Sequence, residues 1–237
     1  MMLEGLNKIK LKLIKLIFVA GCILLSSCAP NISTKLDKKL SRLDQNSLIL
    51  LSLSFEDKLN KDTCVSAQSL RFLIGDSRNG HYDKIKLAEK NVVVEYKKFK
   101  YFLIIFDLPP GNHYFYSIRG KIIKFLRAPI WEAPILLNFK TKENEIVYLG
   151  HIRLILREKV SENEFRAGPI IPLLDQAGIV NKTFDVVIVD NYEKDIEEFK
   201  KKFPKLTGQK IIKRILPNWK RPSSKEFNPK KTHLFFF

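Results

Sequence analysis

The residues best placed for chemistry in this 237-residue chain are two cysteines near its start. Cys28 follows Leu25-Ser26-Ser27 at the end of an apolar run, and Cys22 follows Val19-Ala20-Gly21 within that run. In each case an aliphatic residue and two small ones precede a thiol. Each thiol, as its thiolate, is a nucleophile. Cys64 is the third cysteine and has no partner for an internal disulfide or a cysteine-based metal site. A different nucleophile is offered by Gly75-Asp76-Ser77, directly after an apolar stretch. A serine nucleophile needs a histidine base held by a third group. His233 is the histidine nearest the C-terminus. The remaining histidines, His81, His113 and His151, are scattered, with no HExxH and no paired-ligand spacing. No phosphate-binding or dinucleotide glycine pattern occurs. The expectation is no catalytic residue, no metal and no cofactor.

The stretch that positions the two cysteines has a clear layout. Lys8, Lys10, Lys12 and Lys15 make a positive start, Leu16 to Leu25 an apolar middle, and Ser26-Ser27 a small-residue end. That order is the order of a secretory signal, and the apolar run is roughly half the ~20 residues of a membrane span. Leu25-Ser26-Ser27-Cys28 resembles the signal of bacterial lipoproteins, in which a peptidase cleaves before a lipid-modified cysteine. The resemblance implies acylation of Cys28, with Cys22 as the alternative. Cys28 is favoured because too few apolar residues separate Lys15 from Cys22 for the usual run of about 7–15. It also implies a cell-envelope location, and Ala29 after the cysteine implies the outer membrane, facing the periplasm or the surface.

The charge has two readings, a solvated lysine face or an anionic partner. The chain carries 42 Lys and Arg against 25 Asp and Glu, a net +17. The excess is concentrated near the C-terminus in Lys200, Lys201, Lys202, Lys205, Lys210, Lys213, Arg214, Lys220 and Arg221. These are the candidate residues for binding anionic lipid head groups or acidic polysaccharide. Nucleic acid is the common partner of such charge, but export argues against it, and no nucleic-acid partner is expected.

The elements between these features read as β-structure. Residues 48–55, 69–74, 101–106, 113–118, 135–139, 146–156 and 183–189 are apolar or alternating runs with turn chemistry between them. Two hairpins are expected, one across Pro109-Pro110-Gly111 and one across Lys142-Glu143-Asn144. Pro129 and Pro134 bracket Ile130-Trp131-Glu132-Ala133 as a loop or edge strand. Tyr192, Ile196, Phe199 and Phe203 then recur at helical spacing, with Asp190 and Glu193 as a capping box and Pro204 as the stop. Ile211, Ile212, Ile215, Leu216 and Trp219 are candidate packing anchors in the basic extension. The expected fold is mainly β, an antiparallel β-sandwich with one C-terminal amphipathic helix. Its segments are a signal at 1–27, a tether at 28–47, a sandwich at 48–190, and the helix with its basic extension at 191–237.

Two pieces of the strand region carry a further resemblance. Leu108-Pro109-Pro110-Gly111 followed by Tyr114 and Tyr116, and Glu145-Ile146-Val147-Tyr148-Leu149-Gly150, resemble prealbumin-like and carboxypeptidase-regulatory-like sandwiches of uncharacterised bacterial lipoproteins. Such domains are scaffolds, which implies a non-enzymatic binding or structural module for another envelope component, with no small-molecule substrate. Gly75-Asp76-Ser77 resembles the nucleophile block of GDS-type ester hydrolases. That is the alternative function, although the all-β pattern departs from that family's α/β fold.

Overall fold

The computed structural model describes residues 40, 45–76, 86–87, 92–96, 100–123, 129–168, 179 and 181–227. The chain divides into two units, Met1–Lys35 and Leu36–Phe237, and all described residues belong to the second. Cys22, Cys28, Ser77, His81 and His233 lie outside the described residues.

Among the described residues eleven strands form two sheets. The first contains β1 (Ser47–Asp57), β5 (Val92–Tyr96), β6 (Tyr101–Leu108), β9 (Ile146–Glu158), β10 (Lys182–Val189) and β11 (Ile211–Lys213). Its order is β10-β9-β1-β6-β5, with β11 also paired to β9. The second contains β2 (Cys64–Val65), β3 (Arg71–Asp76), β4 (Lys86–Leu87), β7 (Gly111–Ile123) and β8 (Ile130–Thr141), all joined through β7 or β3. The protein is therefore mainly β, a sandwich with a helix, α1 (Tyr192–Lys202), near its C-terminus. Most pairings are antiparallel, but β1 and β11 both run parallel to β9.

Alternation along the strands builds the shared core. In β1, Ile49, Leu51, Leu53 and Phe55 point between the sheets and meet Phe72, Phe106, Phe115, Trp131 and Phe184. Trp131 packs on Phe55 and Phe184, each with ring centroids 5.4 Å away. Each fully buried side chain of this size stabilises the fold by about 1.5–3 kcal/mol. Trp131 also lies directly on Gly120, its partner across β7 and β8, where an added Cβ would sit 2.4 Å from the indole. Residues 130–133 thus belong to β8, an edge strand of the second sheet.

The first sheet is covered on its other face too. Leu48 and Leu50 of β1, Leu103 and Ile105 of β6, and Ile146 and Tyr148 of β9 form a second cluster with Ile196, Phe199, Phe203 and Leu206. Burial on both faces explains why β1 reads as an unbroken apolar run at residues 48–51, as strands covered on two sides do. Leu40, within the expected tether, also packs against this cluster.

Three expectations are corrected. Pro109-Pro110-Gly111 does not join a hairpin: β6 pairs with β1 and β5, whereas β7 pairs with β2, β3 and β8. The turn instead carries the chain from one sheet to the other, with Gly111 at φ 149°. Lys142-Glu143-Asn144 likewise passes the chain from β8 in the second sheet to β9 in the first, with Asn144 at φ 57°. Turn residues set the local bend, but strand pairing is decided by which sheet buries the next apolar face. The capping box is also absent. Asn191 is the N-cap, and the Asp190 carboxylate accepts from the Tyr192 N–H at 3.2 Å.

The C-terminal extension is a strap. Arg214 and Leu216 donate backbone N–H groups to Tyr148 and Leu149 of β9, each at 2.9 Å. The Trp219 indole N–H then reaches the Pro134 carbonyl of β8 at 3.0 Å. Phe227 is buried against Tyr116 and Phe165. One segment thereby stitches both sheets together.

Candidate functional site

Polar side chains meet where α1 begins, on the helix-covered face of the first sheet. The outward row of β1 changes from Leu48 and Leu50 to Ser52 and Ser54. The N-terminal turn of α1 places Asp195 over those serines, fully buried. In β9 one extra residue enters the ladder, so that Leu50 faces Tyr148 but Ser52 faces His151. Without that bulge Gly150 would face Ser52, and His151 would point into the shared core. Gly150 sits at φ 108°, a conformation few residues with a Cβ adopt.

The Asp195 carboxylate accepts four hydrogen bonds. Ser52 Oγ and Tyr148 OH donate to Oδ2, the latter at 2.5 Å. Tyr101 OH and Asn191 Nδ2 donate to Oδ1, the latter at 2.8 Å. Because the Ser52 proton is committed to Asp195, His151 donates from Nδ1 to Ser52 Oγ at 2.7 Å. Its Nε2 then accepts from Ser54 Oγ at 2.9 Å. The tautomer is set by these partners. The imidazole stacks on the Tyr101 ring, with centroids 4.9 Å apart. Burial pushes the His151 pKa down to about 4, opposed by the Asp195 charge and assisted by Arg153 and Lys194. Burial, reinforced by hydrogen bonding to Asp195, raises the Tyr101 and Tyr148 hydroxyls well above their ordinary value.

Ser54, His151 and Asp195 have the residue types of a serine-hydrolase triad, but their order differs. In a working triad the carboxylate holds the base directly; here Ser52 stands between them. Ser54 is half-buried at the rim of the cluster, whereas Ser52 and Asp195 are fully buried. The arrangement satisfies every polar group it brings under the helix. Its evident work is to dock α1 on the sheet.

Sequence reasoning missed Asp195, Ser52 and Tyr101 as a unit. One signal for Asp195 was present: it lies three residues after Tyr192 and four before Phe199, on the apolar stripe of the helix. His113 lies apart from this cluster in β7, its ring tilted against Phe139 and within hydrogen-bonding distance of Pro109 O and Thr141 Oγ1. Among the described residues no three His, Cys, Asp or Glu side chains are grouped as metal ligands. Cys64 is half-buried with its thiol toward the Asp62 carbonyl.

Eight of the nine basic residues fall into two sets. Lys201 pairs with Glu197 and Glu198, Lys213 with Asp190, and Arg214 with Glu145. Arg221 and Arg157 share Asp185 and Glu164 in a four-membered network that ties the strap to β9 and β10. Arg157 holds Glu164 down to about 2 despite its burial. Lys200, Lys202, Lys210 and Lys220 are exposed and form no ion pair among the described residues. Lys205 is exposed on the 3-10 turn Pro204–Leu206.

A β-sandwich with a helix latched over one sheet, and a cationic surface at its C-terminal turn, is the class of protein these observations define. Comparison with family models, with curated proteins and with solved structures finds no match for the chain.

Proposed function

We propose that the chain is a lipid-anchored protein of the bacterial cell envelope, acylated on Cys28, with a sandwich that serves as a non-enzymatic binding or structural module. The observation that supports the module reading is the saturation of the Asp195 cluster. The side chains most suited to chemistry satisfy one another beneath α1, so their role is structural. The Leu25-Ser26-Ser27-Cys28 stretch supports the anchor, with Cys22 as the alternative acylation site, and the outer membrane is the expected location. The resemblance to prealbumin-like lipoproteins points the same way. The partner is another envelope protein or an anionic surface component.

Radioactive fatty acid fed to cells that express the chain should label the wild type and not Cys28→Ala. Label that persists in Cys28→Ala but disappears in Cys22→Ala moves the anchor to Cys22, and no label in the wild type ends the anchor reading. Crosslinking in intact cells then identifies the partner.

One observation favours a second reading, an ester hydrolase. Ser54 Oγ lies 2.9 Å from the unprotonated Nε2 of His151, the contact a general base needs. Ser77 is the other candidate nucleophile. A fluorophosphonate probe tests both. Labelling of the wild type that is lost in Ser54→Ala or Ser77→Ala overturns the non-enzymatic reading; an unlabelled wild type supports it.

A further inference from the structure

The end of the sandwich at which the chain enters β1 is the end that gathers lysines with no ion pair among the described residues. Leu48 pairs with Ile146, and Ile146 pairs with Ile211, so β1, β9 and β11 begin side by side. All three run in the same direction, so Lys210 precedes β11 at the same end as residue 46 precedes β1. Two strand spacings, about 10 Å, separate them. The turn before β9 lies there as well, since Ser47 Oγ donates to the Lys142 carbonyl at 2.5 Å. Phe203 and Leu206, just after α1, pack in the cluster that holds Leu48 and Ile146, which brings Lys200 and Lys202 to this region. From Phe199 to Arg214, the segment that leads into β11, the sequence has no Asp or Glu and seven Lys and Arg.

The opposite end differs in charge pattern. Its loops after β1 and β9 mix Lys58, Lys61 and Lys159 with Asp62, Glu158 and Glu162, and Lys225 lies beside them. In the turn before β9, by contrast, the acids are Glu143, next to Lys142, and Glu145, which Arg214 pairs. A solvated lysine face needs no such asymmetry. Lysines in the last turn of a helix also face the negative end of its dipole, which accounts for Lys200 and Lys202 in part. It does not account for Lys210 or Lys142, which lie outside the helix.

We propose that this end of the sandwich lies against the anionic lipid head groups of the membrane that holds the acyl chains, through Lys142, Lys200, Lys202 and Lys210. The inference rests on the lipid-anchor reading above and deepens it. A tether entering at the basic end brings those lysines to the bilayer at high effective concentration. Each lysine within a Debye length of an anionic surface contributes about fivefold to partitioning. The surface therefore orients the domain, leaving the loops at 58–63 and 159–163 directed away from the membrane.

The test uses the full chain reconstituted into vesicles of phosphatidylcholine, with or without phosphatidylglycerol. An amine-reactive reagent and peptide mass spectrometry then read each lysine. Slower modification of Lys142, Lys200, Lys202 and Lys210 in the phosphatidylglycerol vesicles, reversed by high salt, with Lys58 and Lys61 unchanged, is the expected result. Equal modification in both vesicles, or protection centred on Lys58 and Lys61, overturns the proposal. So does protection by a soluble acidic polysaccharide without protection by phosphatidylglycerol. The triple substitution Lys200→Gln, Lys202→Gln, Lys210→Gln should lower partitioning to phosphatidylglycerol vesicles tenfold or more with an unchanged urea midpoint, and Lys58→Gln with Lys61→Gln should not. Fatty-acid labelling reports on the anchor alone, so failure of the anchor and failure of the lysine surface are separate outcomes.

Discussion

At the residue scale, Asp195 decides the energetics of the helix–sheet contact. Removing it by Asp195→Ala leaves the fully buried Ser52 and Tyr148 hydroxyls without this acceptor. Buried groups stranded in this way cost about 1–3 kcal/mol each. Urea unfolding of Asp195→Ala should therefore show a loss of about 2–5 kcal/mol, against about 1 kcal/mol for Tyr148→Phe, which deletes a donor and leaves the carboxylate its other three. Equal, small losses in both variants would mean that the cluster contributes little to docking. His151 supplies a second prediction, in pH. Unfolded, the imidazole takes up a proton near pH 6.5; folded, burial delays uptake to about pH 4. Between those values the unfolded chain binds more protons than the folded one, so stability falls as the pH is lowered from 6.5 to 4. The fall attributable to this group is about 3 kcal/mol at most. Glu164, whose pKa is lowered to about 2, is held ionised by Arg157 and loses its contribution only in the lower window, from 4.5 down to 2. Comparing urea midpoints across pH 4–6.5 for wild type and His151→Gln isolates the imidazole, and the slope should be markedly shallower in the variant.

At the scale of elements, the β9 bulge places His151, and Gly150 permits the bulge. In Gly150→Ala the new methyl meets Ile215 Cγ2 at 3.3 Å and the backbone stays at φ 108°. Strain of this kind costs about 1–3 kcal/mol. If the strand relieves it by losing the bulge, His151 leaves Ser52, and the slope between pH 4 and 6.5 should diminish with the stability. A variant that loses stability but keeps the full slope has kept the bulge. The same elements mark how far the sequence was legible. The long strands are runs of apolar residues bounded by turn residues, and the helix is a stripe at i, i+4, i+7; both are local patterns and both were readable. Pairing was not. Pro110-Gly111 and Lys142-Glu143-Asn144 bend the chain as expected, yet each leads into the other sheet, because proline, glycine and asparagine specify backbone angles and not the strand that follows. The Asp195 cluster was hidden for a related reason. Ser52 is 99 residues from His151 and 143 from Asp195, and only the parallel pairing of β1 with β9, with its extra residue, makes them neighbours.

At the scale of the whole molecule, the basic extension has two physical roles, and they require different experiments. Arg214, Leu216, Trp219, Arg221 and Phe227 belong to the strap: they bond β9, pack in the shared core, reach the edge of β8 and close the ion-pair network with Asp185 and Glu164. Deleting residues 214–237 removes the buried Leu216 and Phe227 side chains, worth about 1.5–3 kcal/mol each by burial alone, and uncovers the edge of β8. Natural sheets protect such edges because an uncovered strand pairs with other chains. Domains of this size are stable by only about 5–15 kcal/mol. The truncated chain should therefore be insoluble, or unfold at a urea midpoint far below that of the full chain. The prediction has a sharp counterpart. Trp219→Phe removes one indole hydrogen bond to the Pro134 carbonyl while keeping an aromatic ring, and should cost only about 1 kcal/mol. A soluble truncation with an unchanged midpoint would show that the strap is dispensable and return Arg214 and Arg221 to the set of residues available for a partner. If the truncation collapses while the lysine substitutions leave the midpoint unchanged, then loss of surface binding on deletion reports a lost fold, and only the substitutions measure the charge.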